Sequence, residues 1–497
     1  MWPAVLRPNL LRSRSTNSTY PRYVIGNVIG DEKMIEEFEY DGIWWLPENP
    51  DKKVSGKLKF HPVEGLKLQL IGSFKGLKSL NIFLQPPIIL GITSNGKIIT
   101  LYKCYESRSH MSVPGFLSSS FIVSFAFLGC HFEKEEEIRF DSLSLNYSHL
   151  EEWTGITGFQ SKMELDSKNH LKKHEIIYSF PKKVEAKIDN LSISFDYNFT
   201  SGGDRLKEVK LRHTTFIKIE HSKSVHFNDY QDVCYHIQNF LSLAIGKAVF
   251  PVIIKGKSKR CSTKSQNGEV INPDIFVYYV TNSMFETSSK IHPFDMLFTF
   301  GDISNRFENI LKNWFEKAEM LKPVYDLYFG TLYNPRMYLQ HQFLSMTQAI
   351  EAYHRHKFEG KYLSDKDYKP IYNRFKEIIK VLDIEDSFKD ALKSKLKYGN
   401  EYSLRKRLKD LFVEYRDITQ NFIKDEDNFV NRIVDTRNYL THYDKKLKNI
   451  AEGRDLYRIT QKLRKILQIC LLCELGFIKE KIKSMFLGDK RLEDDFV

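Results

Sequence analysis

The sequence predicts an α+β multidomain protein: a β-rich, sandwich- or barrel-like N-terminal half followed by an all-α helical bundle. Two observations carry this reading. From about residue 40 to 225, apolar and polar residues alternate with period two, whereas after about Pro293 the apolar residues recur at helical spacing. A third observation, the length of 497 residues, exceeds what one compact core usually organises.

The elements follow in order along the chain. Residues 1–30 contain no acidic residue, carry Arg7, Arg12, Arg14 and Arg22, and lack a continuous apolar core. They do not form a secretory signal, and residues 1–33 are expected to be a disordered arm or an upstream extension before the patterned segment that Met34 opens. Residues 57–60 and 66–70 alternate as half-buried strands do. Residues 88–93, the turn Ser94-Asn95-Gly96-Lys97 and residues 98–102 read as a hairpin, because Asn-Gly tolerates the positive φ of a tight turn. Alternation returns at 143–147 and 191–195. A helix over about 228–247 and strands near Val252 and Phe276 complete a first domain spanning 34–290.

The second domain, 291–497, opens with Phe307, Ile310, Leu311, Trp314 and Phe315 at helical spacing. Further helices are expected over 337–354 (after Pro335), 369–382, 387–398, 403–416, 427–442 and 454–477. Asp427 is the expected N-cap of the penultimate one and Gly476 the stop of the last. The result is a bundle of five to seven helices, with the boundary near 285–300.

Composition narrows the function. No run approaches the roughly 18 apolar residues of a membrane span, so no membrane partner is expected. The net charge of +12 and a pI near 9.0 favour a polyanionic partner. Six cysteines in so long a chain make no disulfide framework, and Cys470 and Cys473 lie in an apolar helical stretch as core residues, which fits a reducing, cytoplasmic setting. No phosphate-binding Gly-rich loop, G-x-S-x-G or H-E-x-x-H pattern is present, which argues against ATP hydrolysis, serine hydrolase and zinc protease chemistry.

Chemistry concentrates in Asp435-Thr436-Arg437-Asn438-Tyr439-Leu440-Thr441-His442. Asn438 and His442 are four residues apart and share one helix face, and the long side chain of the adjacent Arg437 reaches the same patch. Arg can grip phosphate oxygens in a bidentate fork, and His can move a proton near neutral pH. Arg336 and His341 repeat the spacing, but Met337 follows the arginine and the pair stands early in the bundle, so it reads as structural. His354-Arg355-His356 reads as a solvated basic helix end, with Glu351 paired to Arg355 one turn away. Arg405, Lys406, Arg407 and Lys409 fit an RNA path or simply exposed helix charges.

Arg-Asn-x-x-x-His late in an α-bundle resembles the R-x4-6-H motif of HEPN-domain ribonucleases, and residues 434–442 with Ser403-Leu404-Arg405-Lys406-Arg407-Leu408 are similar to the ApeA-like branch found in bacterial antiphage defence. Ile92-Thr93-Ser94-Asn95-Gly96-Lys97 and the residues after it resemble the β-rich ApeA N-terminal domain. The resemblance implies a metal-independent, cofactor-free endoribonuclease, acting in abortive infection, with Arg437, Asn438 and His442 as catalytic residues. It further implies a homodimer through the HEPN domain, an RNA substrate (transfer RNA among the candidates), and a regulatory first half answering a phage-derived trigger. Tyr443, Lys445, Lys446 and Arg405 are the expected RNA contacts. A non-catalytic RNA-binding protein and a protein-interaction scaffold of the same fold remain as alternatives.

Overall fold

The computed structural model describes residues 34–75, 83–112, 114–204, 206–264, 267–280, 291–443 and 446–487; the expected arm at 1–33 lies outside them. Six strands form a closed barrel: β1 (Phe38–Leu46), β2 (Asn49–His61), β3 (Gly65–Ile71), β4 (Ile88–Thr93), β5 (Ile98–Met111) and β6 (Leu117–Leu128). Their order is β6-β3-β2-β1-β4-β5, and antiparallel pairing of β5 with β6 closes the ring. Closure removes the free edges that an open sheet would expose. The expected hairpin is present as β4 and β5, with the Thr93 amide donating to Lys97 carbonyl oxygen at 2.9 Å. Alternation fills the barrel: Val54, Leu58 and Phe60 of β2 and Leu66, Leu68 and Leu70 of β3 point inward. Trp44 is fully buried, its indole N–H donating to Gly56 carbonyl oxygen at 3.2 Å. Gly91 lies under that indole, where any Cβ would collide with the ring.

The sheet continues past β6 as an open extension. It uses β7 (Arg139–Tyr147), β10 (Glu185–Ile188), β11 (Leu191–Gly202), β12 (Lys210–His226), β13 (Pro251–Lys257) and β16 (Ile275–Tyr279), in the order β10-β11-β12-β7-β13-β16-β6. The choice between sandwich and barrel thus resolves as a barrel with an attached open sheet. Helix α1 (Leu150–Thr154) packs on β12, and helix α2 (Phe227–Ile245) on β7 and β12. Two outlying hairpins, β8 (Phe159–Leu165) with β9 (Leu171–Tyr178) and β14 (Thr263–Lys264) with β15 (Val270–Ile271), complete this part. Cys130 and Cys261, 131 residues apart, are joined as a disulfide with Cα atoms 5.8 Å apart, one bridge rather than a framework.

Helices follow: α3 (Phe300–Ile303), α4 (Phe307–Glu316), α5 (Ala318–Tyr333), α6 (Leu339–Phe358), α7 (Asp365–Lys380), α8 (Asp386–Lys397), α9 (Leu404–Thr419), α10 (Glu426–His442), α11 (Gly453–Glu474) and α12 (Lys479–Leu487). Helices α5 and α12 were not anticipated; Pro323 inside α5 reads from sequence as a breaker. Asp425, not Asp427, caps α10, its carboxylate accepting from the Asn428 amide at 2.9 Å. Gly476, at φ +89°, ends the α11 segment as expected.

The sheet and the helices share one continuous apolar core. Trp153 Nε1 donates to Phe298 carbonyl oxygen at 3.2 Å and Trp314 Nε1 to His236 carbonyl oxygen at 2.9 Å. The Lys187 amide on β10 donates to Glu308 of α4 at 2.9 Å, so α4 covers the outer edge of the extension. Among the described residues, no helix is long and apolar enough to cross a membrane.

Candidate active site

Helix α10 holds its inner face in the core through Phe429, Val430, Ile433 and Thr436, all buried, and beyond them through the half-buried Leu440. The other side chains from Arg437 to Tyr443 are half-buried or exposed. Thr436 fixes the return of the chain: its buried Oγ1 accepts from the Ala451 amide at 2.9 Å. Tyr443 ends the helix in the left-handed region at φ +52°, its amide donating to Tyr439 carbonyl oxygen at 2.6 Å.

On this last turn Arg437 and Asn438 are in contact, Nη1 donating to Asn438 Oδ1 at 3.2 Å. The other arm of the fork, Nη2, lies 3.9 Å from Glu351 Oε2 of α6. The Arg437 side chain keeps 36% of its surface exposed, and His442, one turn past Asn438, is exposed at the helix end. Solvent therefore reaches the imidazole, which is not packed into the bundle interior. The carbonyl end of a helix carries partial negative charge, so any phosphate held here must be held by side-chain cations. Arg437 is the cation placed to do so. Among the described residues, no three His, Cys, Asp or Glu side chains are grouped so as to hold a metal ion.

Residues 39–314, more than half of the chain, match the ApeA N-terminal domain 1, and residues 344–481 match the Apea-like HEPN family. The chain belongs to the ApeA-like HEPN proteins. Such HEPN domains are typically ribonucleases, and the family is one of antiphage defence. No curated protein and no solved structure matches the chain.

Within this ApeA-like protein the remaining expected contacts divide. Tyr443 is 70% exposed and its ring lies 5.7 Å from that of Tyr439. Lys446 is exposed close by, whereas Lys445 lies outside the described residues. Arg405 is directed elsewhere: its Nη1 donates to Asn431 Oδ1, pinning α9 to α10 about two turns before the motif. Lys406 pairs with Asp410 one turn along α9, and Lys409 reaches Asp427 of α10 at 2.7 Å. Arg336 and His341 do not share a helix; the arginine lies in the turn before α6 and the histidine in its first turn.

Two expectations are corrected. His354 is not solvated; its side chain is fully buried, Nε2 3.3 Å from Asp410 Oδ2 and Nδ1 3.1 Å from Arg407 Nη1. Burial first, then the Arg407 charge, holds its pKa below the usual 6.5. Glu351 does not pair with Arg355, which bonds Glu401 at 2.7 Å; it faces Arg437 instead. Glu351 is the site neighbour that sequence reading missed, since no spacing within α6 reveals which other helix its outer face meets.

Proposed function

We propose that this protein is a metal-independent endoribonuclease of the HEPN type, acting in the cytoplasm in antiphage defence by abortive infection. The observation that carries the reading is the exposed His442 one turn from the bonded pair Arg437 and Asn438. A ribose 2′-oxygen attacks the adjacent phosphorus, and the bond from phosphorus to the 5′-oxygen breaks. A base takes the 2′-hydroxyl proton, and an acid gives one to the departing 5′-oxygen. The guanidinium of Arg437 balances the charge growing on the phosphorane oxygens, and Asn438 orients that guanidinium. Each chain supplies one His442, so acid and base are best met by two copies in a homodimer. Residues 34–290 then form the sensor half, which restrains the nuclease half, 291–497, until a phage-derived trigger arrives. Transfer RNA is among the substrates to be tried.

The test is digestion of labelled RNA by wild type and His442→Ala. Wild type should release 2′,3′-cyclic phosphate and 5′-hydroxyl ends, and the variant should lose at least ~10²-fold in rate while melting normally. An alanine variant that cuts at the wild-type rate defeats the assignment.

A further inference from the structure

Deepening the endoribonuclease reading, on which it rests, we infer that the cleft between the start of α10 and the first half of α11 is the track for a single-stranded RNA leading into the site. The cleft holds about 290 Å³ and is lined by five cations, Lys424, Arg432, Arg458, Lys462 and Lys465, against two acids, Asp425 and Asp455. Neither acid is idle. Asp425 caps α10, and Asp455 lies 3.1 Å from Arg432 Nη2 and 3.9 Å from Arg458 Nη1, holding the two guanidinium groups side by side. Arg458 Nε is buried with no hydrogen-bond partner, a donor unsatisfied in a basic groove. Phe429 forms an apolar wall, with Lys462 Nζ 5.9 Å from its ring centre.

The cleft runs along α10 as far as Arg432. Tyr439 stands seven residues further on, on the same line of the helix and about 10 Å along its axis. Tyr439 and Tyr443, on the same helix end as His442, form an aromatic ledge with ring centres 5.7 Å apart. Cations in a groove grip a phosphate backbone, and aromatic faces stack unpaired bases. A duplex keeps its bases stacked on one another, so the ledge favours a single strand.

The experiment uses full-length His442→Ala protein and a fluorescent single-stranded RNA of about fifteen nucleotides. Binding is followed by anisotropy between ~50 and ~200 mM salt. Adding Lys462→Glu and Lys465→Glu should weaken binding at least ~10-fold and flatten the log–log salt slope by about 1.4, the loss of two phosphate contacts. Tyr439→Leu should cost roughly ten-fold with the slope unchanged, since stacking carries no counterions. Lys366→Glu with Lys376→Glu on α7 is the charge-matched control and should stay within about two-fold. An unchanged slope in the cleft variant, RNA binding lost equally in the control, or a cleft variant that alters only the oligomeric state overturns the inference. Cleft-dependent binding by a histidine-intact protein that cuts no RNA would sink the nuclease reading and leave the track standing; cleavage indifferent to the cleft would do the reverse.

Discussion

Arg437 keeps about a third of its side chain in solvent and makes one short contact, to Asn438, so little of the fold depends on it. Arg437→Lys keeps the charge but loses the planar fork, and should lower the cleavage rate at least ~10-fold while leaving the melting temperature within a few degrees. Single-turnover assays and a thermal melt check both halves of that statement. Gly360 is the opposite case. It sits at φ +75°, and a Cβ there would run into the Arg407 guanidinium, which is buried and donates to Gly360 and Tyr402 carbonyl oxygens. Gly360→Ala should therefore destabilise by about 2 kcal/mol or more, read from denaturant midpoints. That Arg407 is buried was legible in principle. Leu404, Arg407, Leu408, Leu411, Phe412 and Tyr415 fall on one helical stripe, and the arginine stands in it as surely as the leucines. Reading the basic run as a block of charge hid the periodicity.

At the scale of elements, strands and helices were legible wherever alternation or helical spacing was strong, as in β2, β3, α4 and α10. Helix α5 was missed because a local breaker, Pro323, was outweighed by packing of Leu321, Val324, Tyr325 and Tyr328 into the core. The contact between α6 and α9 was illegible, since it joins residues 53 apart: His354 and Arg407. It also yields a pH dependence. The folded-state pKa of His354 is lowered, so in the window from 6.5 down to that value the unfolded chain binds a proton that the folded chain refuses. Stability is then lost as pH falls through this window, by up to about 1.4 kcal/mol per pH unit from this one group. Half-buried histidines whose pKa burial also lowers, such as His149 and His236, add to the slope, so the informative quantity is a difference. His354→Gln should be less stable at pH 7 yet show a shallower decline on acidification, measured by urea unfolding across pH 5 to 7; parallel curves for the two proteins would exclude His354 as a source.

Over the whole molecule, barrel, open sheet and bundle share one core, and α3 and α4 lie between them rather than on a linker. Phe298 of the preceding segment, whose carbonyl oxygen accepts from Trp153 Nε1, packs at a tilt on Phe477 beyond α11 with ring centres 5.1 Å apart, and so links the β-rich half to the bundle. Such a join suits a regulator that acts by rearranging two copies. The proposed dimer has a quantitative signature. If one cleavage event needs His442 from both chains, only dimers with two intact histidines cut. Mixing wild type with His442→Ala under subunit exchange should then make activity fall as the square of the wild-type fraction; at equal amounts one quarter remains. If each chain cuts alone, one half remains and the dependence is linear. A mixed titration of the two proteins, at fixed total concentration after prolonged incubation, separates a curve from a straight line. A straight line with exchange demonstrated would mean that acid and base both come from one chain, and the second proton carrier would then have to be sought among the neighbours of Arg437, beginning with Glu351.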